Sequence, residues 1–151
     1  MGYVQSYLRP LFSQTEPSLI VVVGFSSMTR ILIVDDNPRV RTALRVCLQR
    51  NRSWQVCSEA ENGQDGVELA RQLKPDIVLL DYAMPNMNGL EAARLISASM
   101  PQCALILFTM FASDQLCTLA QAAGVHTVVS KEIGGVHALV EAIEKITSEA
   151  A

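Results

Sequence analysis

Charged and hydroxyl side chains recur in this sequence where apolar runs stop. Asp35 and Asp36 follow ILIV, Asp81 follows IVLL, Thr109 follows ILF and Lys131 follows VVS. Short continuous aliphatic runs of this kind are expected of strands buried on both faces in a parallel sheet. The carboxyl ends of such strands border the crevice in which open α/β sheets bind ligands, so all five residues are expected to meet at one edge. Three carboxylates held together repel one another and resist ionisation unless a cation neutralises them. Mg²⁺ is the natural partner, a hard ion that takes one or two carboxylates, a carbonyl and waters in an octahedron. With it, an exposed Asp, a Lys point charge and a Thr hydroxyl are the equipment for phosphoryl transfer onto the Asp, a reaction catalysed mainly by positioning and electrostatic clamping. Asp81 is the expected nucleophile and, already ionised at neutral pH, needs no general base. Taken singly, Asp35 or Asp36 would serve as a helix cap, Thr109 as a turn hydroxyl and Lys131 as a solvated charge. Their joint placement favours a site.

The elements that must position these residues show in the alternation of apolar runs and amphipathic stretches from Arg30 onward. RILIVD reads as a first strand, and Asn37 and Pro38 as N-cap and first-turn proline of a helix with Val40, Ala43, Leu44 and Cys47 at helical spacing. WQVCSEA is a second strand, followed at Asn62-Gly63 by a helix carrying Val67, Leu69, Ala70 and Leu73. After the third strand, Asn88-Gly89 opens a helix with Leu90, Ala93, Leu95 and Ile96, and Pro101 breaks the chain before CALILF. A fourth helix over about Ser113–Ala123 is expected to end at Gly124 as its C-cap. VHTVVS is the fifth strand. The last helix follows Gly134-Gly135, with Val136, Leu139, Val140, Ile143 and Ile146 on its apolar face and nothing folded beyond Ile146. Five such units predict an α/β fold, a doubly wound parallel sheet with helices on both faces.

Composition narrows the function classes. A chain of 151 residues has room for one ordinary domain, and with 50% hydrophobic but only 5% aromatic residues its core must be aliphatic. The net charge is −3 and the 12 Lys and Arg residues form no dense run, which argues against nucleic-acid binding. Cys47, Cys57, Cys103 and Cys117 lie far apart, predicting neither a zinc site nor a redox motif but reduced thiols packed as small apolar groups in a cytoplasmic protein. His126 and His137 have no partner at motif spacing and receive no role, and Met84 and Met87 read as packing. Residues 1–27 differ in character from the rest. Their apolar run, Leu19–Val23, is too short to span a bilayer, and no A-x-A site follows it. They are expected to be a poorly ordered extension or the product of an upstream start codon, Met28 being a natural start.

The motifs ILIVDDNP, PDIVLLDYAMPNMNGLEAARLI, ILFT and VVSK fall in an order that resembles the receiver domain of bacterial two-component response regulators, from about Arg30 to Ile146. The resemblance implies a flavodoxin-like receiver fold over residues 28–148 with five parallel strands in the order 2-1-3-4-5. It implies that Asp81 is the phosphoacceptor and an Mg²⁺ ligand. Asp36 would bind Mg²⁺ directly, Asp35 would support it through water, and the Ala83 carbonyl would be a third protein ligand. Lys131 would hold one phosphoryl oxygen and Thr109 would move to meet another. The donor would be a phosphohistidine on a sensor histidine kinase or phosphotransfer protein. Such a domain is a signalling module rather than an enzyme, promoting only phosphorylation and dephosphorylation of its own Asp. No output domain is expected in this chain, so its signal would pass to a downstream protein on the face formed by the fourth helix, fifth strand and fifth helix. ILFTM and SKEIGGVHALVEAIEKI also resemble receivers that precede a helix-turn-helix module, which leaves the separated receiver of a DNA-binding regulator as an alternative.

Three positions depart from that pattern. Many receivers carry an aromatic ring three residues before the lysine; here it is Val128. The residue after the lysine is commonly a proline, often cis; here it is Glu132, for which a cis bond would cost about 3 kcal/mol, so a trans bond is expected. Met110 stands where many receivers have a small residue and, with Ala83 and Phe111 flanking the site, predicts a partly apolar pocket and a slowly hydrolysed acyl phosphate. These departures keep a phosphorylation-independent binding module in view. A haloacid-dehalogenase type of hydrolase would need a second Asp where Ala83 stands, and a flavin or dinucleotide binder would need glycines where Asp35-Asp36-Asn37-Pro38 stands.

Overall fold

The computed structural model describes residues 27–150. The extension expected over residues 1–27 lies outside them apart from Ser27. Strands and helices alternate as β1 (Thr29–Val34), α1 (Pro38–Leu48), β2 (Trp54–Ala60), α2 (Gly63–Leu73), β3 (Ile77–Leu80), α3 (Gly89–Ser99), β4 (Ala104–Thr109), α4 (Asp114–Ala122), β5 (Thr127–Ser130) and α5 (Gly135–Glu149). The strands form one sheet in the order β2-β1-β3-β4-β5, and every neighbouring pair is parallel. This is the expected doubly wound topology.

The pleat of β1 divides the core. Ile31 and Ile33 join a cluster closed by Leu44 and Leu48 of α1 and by Leu139 and Ile143 of α5. Leu32 and Val34 join the other, closed by α2, α3 and α4 through Val67, Ala70, Leu90, Ile96 and Leu116. With both faces covered, alternate positions cannot be polar, which is why the strands read as unbroken aliphatic runs. Four helices start on a side-chain cap. Asn37, Asn62 and Ser113 accept from Arg39, Asp65 and Leu116 N–H respectively, and Asn88 forms a capping box with Glu91.

Several expectations are corrected in detail. The fourth helix is capped by Ala123, and Gly124, at φ +89°, stands one residue beyond, where the left-handed turn after the cap favours glycine. Helix α5 continues past Ile146 to Glu149: the chain there holds no Gly or Pro, and the Thr147 and Ser148 hydroxyls bond back to the Glu144 and Lys145 carbonyls. Val136 is 43% exposed and stands off the stripe that Leu139 and Ile143 bury. Cys117 is exposed, not packed, because Leu116 and Ala120 take the buried face of α4. Cys103 is buried and its thiol is pushed up to about 12, chiefly by that burial. His126 has a structural use after all: its ring Nδ1 accepts from Leu105 N–H at 3.2 Å while its main-chain N–H donates to the Leu105 carbonyl at 2.8 Å. The ring thus lengthens the β4–β5 ladder by one rung.

Leu32 is fully buried between β2 and β3, so Leu32→Ala is expected to cost about 2–5 kcal/mol in a urea titration. Val46→Ala, at a 53% exposed position of α1, is expected to stay within about 0.5 kcal/mol of the parent.

Candidate functional site

Register builds the site. Val34 pairs with Leu80 across β1 and β3, so the residues that follow them, Asp35 and Asp81, stand side by side at the sheet's carboxyl edge. Since Val34 and Leu80 point into the α2–α3–α4 cluster, pleat alternation sends the two carboxylates to the α1–α5 side, where Phe108 also points. Oxygens of Asp35, Asp36 and Asp81 all lie within 4.8 Å of one another. Lys131, just past β5, runs over the Phe108 ring, its Nζ 5.7 Å from the centroid, and reaches Asp35 Oδ2 at 2.5 Å and Asp81 Oδ1 at 3.4 Å. These residues and Ala83 line an open crevice of about 460 Å³. Val40, Met110, Phe111 and Val136 form its apolar rim, with Met110 and Phe111 58% and 61% exposed.

Thr109 is placed differently from the other four. It ends β4 fully buried, its hydroxyl accepts from Phe111 N–H at 3.2 Å, and it does not line the crevice, because Phe108 takes that side of the pleat. The peptide bonds after Lys131 are trans, as expected for Glu132. Val128 is half-buried against the α2–α3–α4 cluster.

The donors are all oxygen, the choice of a hard divalent cation. Three carboxylates and one ammonium leave two formal negative charges, which one such ion balances. Cis and trans oxygens of an Mg²⁺ octahedron lie roughly 3–4 Å apart, close to the spread of oxygens here, so the residues fit the ion. Burial raises the Asp81 carboxyl above the ordinary Asp value; Lys131 opposes the rise and Asp35 adds to it.

Three residues that sequence reasoning passed over hold this arrangement. Gly89, read as a helix opener, brings the start of α3 so close to Asp81 that an added Cβ would collide with the Asp81 carbonyl oxygen. Asn37 caps α1 and also donates its N–H to Asp35 Oδ1 at 2.9 Å. Arg41 Nη1 donates to the Asp35 carbonyl at 2.8 Å. The Asn88-Gly89 and Asn37-Pro38 pairs at helix starts were the available signals; a long side chain turning back to a strand end leaves none in the sequence.

Residues 31–144 match the model of the response regulator receiver domain. The chain belongs to that family. The response regulator GacA of Pseudomonas aeruginosa is 36% identical over 119 residues, 79% of this receiver chain and 55% of that protein. The receiver also superposes on a LuxR-family response regulator from Aurantimonas with a TM-score of 0.77 at 33% identity, covering 82% of this chain and 87% of that one. For the response regulator domain of Thermotoga maritima CheB the TM-score is 0.73 at 28% identity, over 80% and 95% of the two chains. The receiver chain spans about half the length of the first curated relatives it matches. Receivers are signalling domains and as a rule bind Mg²⁺ at an acidic pocket, which the three carboxylates form here. Among the described residues no helix is long and apolar enough to cross a membrane.

The raised Asp81 carboxyl has a stability consequence. The folded chain holds the Asp81 proton to higher pH than the unfolded chain, so stability falls as pH rises from the unfolded value, ~3.9, through the folded one. In Mg²⁺-free buffer at neutral pH, Asp81→Asn is therefore expected to melt higher than the parent, and the gain to vanish below pH ~3.9. At ten times its Kd, Mg²⁺ should add about 1.4 kcal/mol to the parent and less to the variant. Scanning calorimetry checks both, and a variant less stable at neutral pH contradicts the account.

Proposed function

We propose that this receiver accepts a phosphoryl group on Asp81 from a phosphohistidine of a sensor histidine kinase or phosphotransfer protein, in an Mg²⁺-dependent reaction. The observation that carries the reading is the convergence of the Asp35, Asp36 and Asp81 oxygens within 4.8 Å, with the Lys131 ammonium paired to two of them. An Asp81 carboxylate oxygen attacks phosphorus as the P–N bond to the donor imidazole breaks; the imidazole keeps the electron pair and takes a proton from solvent. Lys131 leaves its ion pairs with Asp35 and Asp81 to hold a phosphoryl oxygen. Asp36, Asp81 and the Ala83 carbonyl would hold Mg²⁺, with Asp35 supporting it through water, and the bound ion would supply positive charge where the transferring oxygens gather negative charge. For Thr109 to donate to a phosphoryl oxygen, its hydroxyl, which lies outside the crevice, must move toward it, and the Phe111 N–H that it accepts from ties that movement to the β4–α4 connection.

The signal then passes to a downstream protein on the α4–β5–α5 face, in the cytoplasm, where cysteines such as these stay unpaired. A second reading, the receiver part of a longer transcriptional regulator, is favoured by one observation. Relatives such as the transcriptional regulatory protein LnrK of Bacillus subtilis match over 48% of their own length.

Intact-protein mass after incubation with Mg²⁺ and acetyl phosphate is expected to show one added phosphate on the parent and none on Asp81→Ala. An adduct of equal yield on the alanine variant would sink the assignment. Once the donor is removed, the adduct is expected to decay several-fold faster in Phe111→Ser, because the exposed ring on the rim keeps attacking water out of line. A decay unchanged by that substitution contradicts the role of the rim.

A further inference from the structure

Asp35 is the most buried of the three carboxylates, and each of its polar atoms has a partner. Its N–H donates to the Ala60 carbonyl at 3.1 Å, Oδ1 accepts from Asn37 N–H at 2.9 Å and Oδ2 from Lys131 Nζ at 2.5 Å. The remaining atom, its carbonyl oxygen, lies one residue past the β1–β3 ladder, which ends at Val34. Arg41 reaches it. Arg41 also borders a groove carrying Glu61, Asp65 and Glu68, yet among the described residues it pairs with no carboxylate. Its own N–H donates to the Asn37 carbonyl at 3.1 Å. Main chain and side chain of one residue thus grip the turn Asp35-Asp36-Asn37 from both ends.

We propose that Arg41 is a positioning residue for the cation site: by clamping that turn it sets Asp36, the exposed carboxylate, where it faces the same ion as Asp35 and Asp81. The proposal rests on the Mg²⁺ reading above. Partners of this outer kind typically cost tenfold or more in metal affinity when removed. Charge alone argues the opposite way. Removing a cation beside three carboxylates strengthens their attraction for Mg²⁺, so an arginine acting only through its charge would weaken the binding that its loss then improves. The two roles differ in sign.

Calorimetric titration of the unphosphorylated chain with Mg²⁺ separates them, comparing parent, Arg41→Gln and Arg41→Lys, each checked by circular dichroism to be folded. Mg²⁺ is expected to bind about tenfold more weakly to Arg41→Gln. Arg41→Lys, which keeps the charge and one donor, is expected to fall between the glutamine variant and the parent, and it decides the matter alone should the former not fold. Saturating Mg²⁺ is expected to restore the parent's rate of phosphorylation by acetyl phosphate, which a general loosening of the fold would not allow. Equal or tighter Mg²⁺ binding in the variants overturns the proposal, as does a rate defect that persists at saturation. Because the titration needs no phosphodonor, it still reads on Arg41 if the parent binds Mg²⁺ without accepting phosphate. A parent that binds no Mg²⁺ overturns both readings.

Discussion

Bringing three carboxylates together at the ends of two neighbouring strands, two of them buried, is the constraint around which this molecule is arranged. Burial is the larger cause of the raised Asp81 carboxyl and Asp35 adds to it, while Asp36 stays exposed. The chain supplies one compensating charge, Lys131, and divides it between Asp35 and Asp81. What remains unbalanced matches a divalent ion, so the unliganded fold carries a strain that binding relieves. Sites of this kind exchange stability for function.

Holding such a cluster together requires the rest of the chain to be rigid and dry, and the parallel sheet provides both. Both faces of β1 and β3 are closed by helices, which buries Asp35 and Asp81 at the strand ends while Asp36 stays exposed. The close approach of α3 at Gly89 fixes the Asp81 main chain, and the capping box of Asn88 and Glu91 fixes where that helix begins. On the other strand, Asn37 and Arg41 do the same for Asp35. The acids are therefore positioned by main-chain contacts on each side, not by one another, which is the arrangement repulsion demands.

The strands were legible because burial on both faces leaves an unmistakable aliphatic run, and Asp35 and Asp81 because a charge that ends such a run has few other uses. The doubly wound fold follows from the alternation of elements; the particular strand order was supplied by resemblance. Orientation was less accessible. Whether Thr109 points into the crevice depends on the phase of the pleat at Phe108, and one residue reverses it. The ring of His126 completes a ladder with a residue 21 positions away, a pairing that only the register of β4 against β5 creates. Helix ends were misjudged where no Gly or Pro marks them, as after Ile146. Arg41 falls on an ordinary helical position, and only the folded turn shows which carbonyl lies within its reach.

With Val128 in place of the aromatic ring that many receivers carry, the Thr109–Phe111 hydrogen bond joins the end of β4 to the connection that leads to α4. On the proposed function, the energetics of Thr109 would limit what phosphorylation of Asp81 achieves alone. A hydroxyl bonded to a charged phosphoryl oxygen would contribute about 1.5–3 kcal/mol, which shifts an equilibrium by roughly ten- to 150-fold. Converting a population from one extreme to the other takes about 5.5 kcal/mol. Of the nine residues of α4, Leu116 and Ala120 are the buried ones. On that reading the rest of the free energy would come from a partner that binds the displaced α4, which would make the partner part of the switch and not merely its reader.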